Sequence, residues 1–318
     1  MRDGTHIARS IAALAWSGEH VGSTQRGERL ASLVAIVALA MSAAGIFEHS
    51  GENGAADEVA RAEAEERRRL ALPTREWMVG AYGGAQYTYP SEVRLARPGS
   101  HDLTVDSVGW DGEPFVDPIY YGVRIVRWLE GGRTGAMLDF THSKALAQLG
   151  EQASFKGAVS GKPAPASAKL GDVFRRLEFS HGHNMLTLNG LMRLGSIGPR
   201  LWPYVGLGLG INLPHTEVQL VGERGRTYEY QYTGPVVQAV LGVELRIPRM
   251  SYFLEYKFSL ASYSAPLSNM DGSWLFLDLY RQIRRWLSGE PPPGGYLDTR
   301  LTSHQVIGGL GVRFGASP

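Results

Sequence analysis

The stretch YFLEYKFSLA, residues 252–261, alternates without a break. Tyr252, Leu254, Tyr256, Phe258 and Leu260 fall on one side of an extended chain, with Glu255 and Lys257 on the other. A period of two belongs to a β-strand whose faces meet different surroundings. A soluble sandwich would turn the apolar face to a protein core. An outer-membrane barrel turns it to lipid and sends the charged face into the lumen. TSHQVIGGLGVRF, residues 302–314, repeats the pattern, with Val306, Leu310, Val312 and Phe314 opposite glycines and Arg313.

Working outward from these two, strand character recurs in eight segments: 76–88, 119–129, 133–143, 183–194, 201–212, 232–246, 250–261 and 302–314. Eight is even, as a closed antiparallel bacterial barrel needs, and each segment is long enough for a tilted strand to cross a bilayer. The apolar faces, such as Leu186, Leu188, Met192 and Leu194 or Val205, Leu207, Leu209 and Ile211, carry no charge. An arginine or lysine at mid-bilayer on a lipid face costs about 2–4 kcal/mol, so lipid exposure would enforce that absence. The opposite faces hold Arg124, Asp139, Asn189, Arg193, Gln238, Glu244, Glu255 and Lys257. An eight-stranded barrel is filled by its own side chains, so these predict a plugged polar interior of paired charges. Arg127 breaks the second segment's outer face near its end, which a snorkelling side chain or a bulge would explain.

The connections alternate long and short, as in outer-membrane barrels with external loops and periplasmic turns. Trp77, Trp128, Trp202, Tyr252 and Phe314 are expected to form an aromatic belt at the short-turn end. Tyr87, Tyr120, Tyr121, Phe140, Tyr232 and Phe258 are expected to form another toward the long loops.

Composition agrees. The 318 residues are 43% hydrophobic and 20% charged with a net charge of +1, so there is no nucleic-acid signature. A mean hydropathy of -0.16 excludes a helical multispanning protein. The absence of cysteine excludes disulfides, thiolate zinc sites and thiol nucleophiles. Arg26 and Arg29 precede the apolar run 30–47, which reads as a secretory signal cleaved near Ala44, the rival being an uncleaved anchor. The chain therefore divides into a leader, 1–47, a charged helical linker, 48–75, and the barrel, 76–314.

Six of the nine histidines lie beyond residue 75, and His142, His181, His183, His215 and His304 all fall at the long-loop ends of strands. On an extended chain His181 and His183 point the same way, as a shared divalent metal would require. Asp139 and His142 lie near the same level, and two histidines with a carboxylate are an open ligand set for iron and oxygen. Histidine also collects at polar rims without any such role. A serine hydrolase arrangement would need Ser180 with His142 or His181, since adjacent His142 and Ser143 face opposite ways. In the last loop, Trp274, Leu277, Ile283 and Leu287 are compatible with one helical face, beside the basic cluster Arg281, Arg284 and Arg285.

The strings LDFTHSKA (138–145), LEFSHGHNMLTLNGLMR (177–193), PYVGLGLGINLPHTEV (203–218), GPVVQAVLGVEL (234–245), YFLEYKFSLA and HQVIGGLGVRF (304–314) together resemble the outer-membrane lipid A oxidase family. The resemblance spans most of 76–314. It implies a small barrel that oxidises the proximal glucosamine of lipid A to aminogluconate, using molecular oxygen and a divalent metal. Site residues follow from position alone: His142 and Asp139 as catalytic groups, His181 and His183 as metal ligands, Lys144 and the three loop arginines for the phosphates of lipopolysaccharide. The expectation is thus an all-β, eight-stranded antiparallel transmembrane barrel, monomeric, in the cell outer membrane. The rival readings are a non-enzymatic structural or ligand-binding barrel and a lipid A deacylase.

Overall fold

The computed structural model describes residues 60–63 and 75–315. The leader 1–47 lies outside the described residues, as does the linker 48–75 except for 60–63, which is helical, and Arg75. Eight long antiparallel strands form a ring: Glu76–Thr88, Tyr121–Trp128, Thr134–Ala147, Phe174–Arg193, Leu201–Asn212, Gly234–Ile247, Met250–Pro266 and Tyr296–Gly315. Each pairs with the next, and the first and eighth close the wall from Glu76↔Gly315 to Thr88↔Ser303. No free edge remains within the wall, which removes the usual liability of an open sheet.

The two faces divide as the alternation requires. Leu188, Leu207, Leu209, Leu241, Leu310 and Val312 are exposed on the outside, while Arg124, Asp139, Asn189, Gln238, Glu255 and Lys257 are buried inside. The interior is a set of ion pairs. Arg124 donates two bonds to Glu255, at 2.5 and 2.8 Å, and one to Asp139 at 3.2 Å; Lys257 donates to Asp139 at 2.5 Å. Toward the short turns Glu76 accepts from Arg246 and Arg313, and Glu244 from Arg193 and Arg246. Glycine makes room for large lumen rings: a β-carbon at Gly122 or Gly242 would fall within the ring of Tyr82 or Tyr204, its cross-strand partner.

Some aromatic placements differ from the sequence reading. Trp128 and Trp202 do not join the short-turn belt; the Arg193 guanidinium lies 3.7 Å from the centre of the Trp128 ring and 5.7 Å from that of Trp202. Tyr120 is buried and donates to Gln305, because a phenol inside a polar lumen finds a partner that a lipid face would not supply. Arg127 lies over the exposed Trp77 ring at 4.4 Å, in unbulged register with that residue, which settles its placement as a snorkelling side chain.

The long connections are not plain loops. The fourth strand begins at Phe174 rather than near 183, the seventh continues to Pro266 and the eighth starts at Tyr296. Ser91–Arg97 pairs with the eighth strand, His101–Val108 with that segment, and Gln152–Val159 with the next. His215–Leu220 pairs with the fourth strand and with Thr227–Tyr230. This crown has its own hydrophobic core, including Leu95, Leu103, Phe174, Phe179, Tyr263 and Leu297. Each such buried side chain contributes roughly 1.5–3 kcal/mol, which fixes the strand ends that carry the histidines.

Candidate functional site on the outer wall

On the long-loop side, the first outward positions above the apolar belt are polar. Tyr121, His142 and Asn184 are cross-strand neighbours on the second, third and fourth strands. The Tyr121 and His142 rings stack at 4.7 Å. The Asn184 amide donates to the Leu213 carbonyl at 3.1 Å, so its oxygen is left to accept from His142 Nδ1 at 2.8 Å. That bond fixes the tautomer, and Nε2 keeps its lone pair, buried and without a partner.

A bulge then reshapes the fourth strand. Register shifts between Phe179 and His183, with Gly182 at φ 138, where a β-carbon would meet the Asn184 amide. The extra residues turn His181 outward, while His183 stays inside and meets the Tyr263 hydroxyl at 3.0 Å. His181 and His183 therefore lie on opposite sides of the wall and do not form the pair expected from an unbroken strand. His181 instead lies 5.2 Å from His215, centre to centre, and 5.5 Å from Tyr228. His215 packs between Tyr228 and Tyr230 at 4.3 and 4.6 Å. Its Nε2 donates to the Gly272 carbonyl at 3.2 Å, which leaves Nδ1 as a second buried, unpartnered lone pair.

Above this row Ser180 contacts His181 Nδ1 at 3.2 Å and donates to Glu217 at 3.4 Å. Glu178 and Glu217 face one another; burial and then the Glu217 charge push the Glu178 carboxyl up, against Arg176. Burial pulls the imidazole of His215 down, so it is neutral at neutral pH.

The other residues singled out from sequence fall elsewhere. Asp139 is not beside His142: it points into the lumen and is held by Arg124 and Lys257, because residues three apart on a strand face opposite sides. Lys144 is buried, and its ammonium donates to the carbonyls of Val116 and Asp117 at 3.0 and 3.2 Å, so it is not open to a phosphate. Arg281 pairs with Asp278 and Arg285 with Glu229, while Arg284 is exposed. His304 stands on another part of the wall, between Tyr89 and Phe258. Asn184, His215, Tyr228 and Tyr230 were not read as site residues. The only signal for them was HTEV at 215–218, whose strand pairs with the fourth across a gap of about 40 residues that spacing does not reveal.

Among the described residues no three histidine, aspartate or glutamate side chains stand close enough together to hold a metal ion. The divalent metal implied by the resemblance thus finds two open imidazole nitrogens here but no assembled ligand set.

A wall that closes on itself, apolar outside and ionic inside, is stable only in a bilayer, and the short turns mark its periplasmic end. The chain is an outer-membrane β-barrel. No family model matches it, and no curated protein does. Among solved structures it is similar to Neisserial surface protein A, at 10% identity over 76% of this chain and 96% of that one, TM-score 0.32. It is similar also to the outer membrane protein AlkL, at 13% identity over 78% and 93%, TM-score 0.34. A further similar structure is the outer membrane protease OmpT of Escherichia coli, at 8% identity over 76% and 97%, TM-score 0.35. With scores this low, the membrane placement rests on the wall and its belt.

Proposed function

We propose that this barrel modifies lipid A at the outer-wall site, by oxygen-dependent oxidation of the proximal glucosamine to aminogluconate. The observation that carries the lipid part is the direction of the site: the buried lone pairs of His142 and His215 belong to outward residues just above the belt, where headgroup sugars lie. The oxidation itself is what the sequence resemblance implies. A sugar with a free anomeric hydroxyl loses that proton to a base and a hydride equivalent from the same carbon to oxygen, giving a lactone and hydrogen peroxide; water then opens the lactone to the acid. His142 Nε2, unpartnered while Nδ1 is held by Asn184, is the base. Arg284, exposed on the neighbouring helix, is the phosphate contact. A second reading is favoured by one contact, Ser180 to His181 at 3.2 Å, which would suit acyl transfer with the hydroxyl proton turned from Glu217 to His181 Nδ1.

Mass spectrometry of lipid A tests these readings, using cells that express the chain and make lipid A without the 1-phosphate, grown with and without oxygen. One added oxygen atom on the proximal sugar, only under oxygen, is expected. Loss of an acyl chain would move the assignment to Ser180. Unchanged lipid A, with the barrel folded in the membrane, would leave a structural or ligand-binding protein.

A further inference from the structure

The helix Leu275–Ser288 is built the reverse way from a helix on a soluble protein. Its buried residues are polar, Asp278 and Gln282. The Asp278 carboxylate accepts from the Tyr230 backbone amide at 3.3 Å. The Gln282 side chain accepts from the Tyr232 amide at 2.8 Å and donates to the Tyr232 carbonyl at 2.7 Å. Together these caps add to the bonds that Met270 and Gly272 make with Tyr228 along the side of Thr227–Tyr230 away from His215–Leu220. The opposite face is apolar and bare. Phe276, Tyr280, Ile283 and Leu287, at the 4-3-4 spacing of one helical stripe, are 84%, 59%, 49% and 84% exposed. The stripe differs from the one read from sequence, since Leu277 is turned away from Ile283 and Leu287 and Trp274 precedes the helix.

We propose that this stripe is embedded in the outer leaflet of the bilayer that surrounds the barrel, as an interfacial helix lying along the rim. Its position carries the choice of lipid as occupant. Gln282 is pinned to Tyr232, three residues before Pro235, where the sixth strand's exposed outer face begins with Pro235 and Val237. At about 3.3 Å per residue along a strand tilted by about 40°, that is roughly 7–8 Å above the first belt residue, about the thickness of one headgroup layer. The stripe is thus a continuation of the apolar belt, not an isolated patch. Trp274, Tyr280 and Trp286 supply the amphipathic rings that favour this depth, and Arg284 supplies an exposed charge for anionic headgroups. The helix also touches the site, since Asp278 holds Tyr230 and the preceding Gly272 carbonyl holds His215. Seated in the leaflet, it sets the depth of the His215 side of the site. The proposal stands independently of which reaction occurs there.

The absence of cysteine makes the test direct. Phe276→Cys and Leu287→Cys, each labelled with an environment-sensitive fluorophore, are compared in phospholipid vesicles with Leu209→Cys in the belt and Glu92→Cys in the crown. Folding is checked by heat-modifiable migration. The helix labels are expected to emit to the blue of the Glu92 label and to lose emission to nitroxides carried on lipid near the headgroup, as the Leu209 label does, with little loss to aqueous iodide. Emission and iodide quenching like those of the Glu92 label would overturn the proposal. So would shielding that appears only at high protein-to-lipid ratio without nitroxide quenching, which would make the occupant a second copy of the chain.

Discussion

The lumen and the outer rim both hold buried polar side chains, but they hold them differently. In the lumen charge meets charge: Arg124 lies between Glu255 and Asp139, Lys257 is on Asp139, and Glu76 and Glu244 share three arginines. At the rim the rings of His142 and His215 each spend one nitrogen on holding their own orientation and leave the other open. A set of paired charges resists change, because removing one member strands another in low dielectric. An oriented ring with an open nitrogen is available for chemistry. The contrast separates the groups that hold the barrel up from those that keep an atom to spare.

The sharpest way to break this contrast is in the lumen. Arg124→Met leaves Glu255 without its bidentate partner and is expected to cost about 3–5 kcal/mol of stability. Denaturant unfolding in vesicles, followed by gel migration, reads that loss. Adding Glu255→Gln is expected to recover much of it; failure to recover would show that the two do not act as a pair. Next in size is the belt: Leu207→Arg should cost about 2–4 kcal/mol toward mid-bilayer, whereas His142→Gln at the rim should cost under about 1 kcal/mol. Equal losses at the two positions would erase the distinction between lipid wall and functional rim.

The fold was legible wherever alternation ran long. The outer faces of Tyr252–Leu260 and Val205–Ile211 and the lumen charges Glu255 and Lys257 follow from period two alone, since a bilayer punishes every lapse. The crown was not legible. Segments such as Ser91–Arg97 are too short to show a period, and they fold because distant residues, Leu297 among them, complete their core. The site was half legible: His142 and His181 stand at the rim as their positions suggested. The bulge at Gly182 turned His181 away from His183, and Asp139 followed strand parity into the lumen, where level along the strand counted for less than side. His215 and Tyr230 depend on a pairing between the fourth strand and a hairpin, which only the assembled sheet brings about.

The most direct measurement is the mass of lipid A from cells expressing wild type or His142→Gln, both verified as folded barrels. A gain of one oxygen atom on the proximal sugar with wild type, and none with His142→Gln, is the expected result. The same oxygen gain with the variant would remove His142 from the chemistry, and lipid A identical to that of cells without the barrel would contradict a lipid-modifying rim altogether.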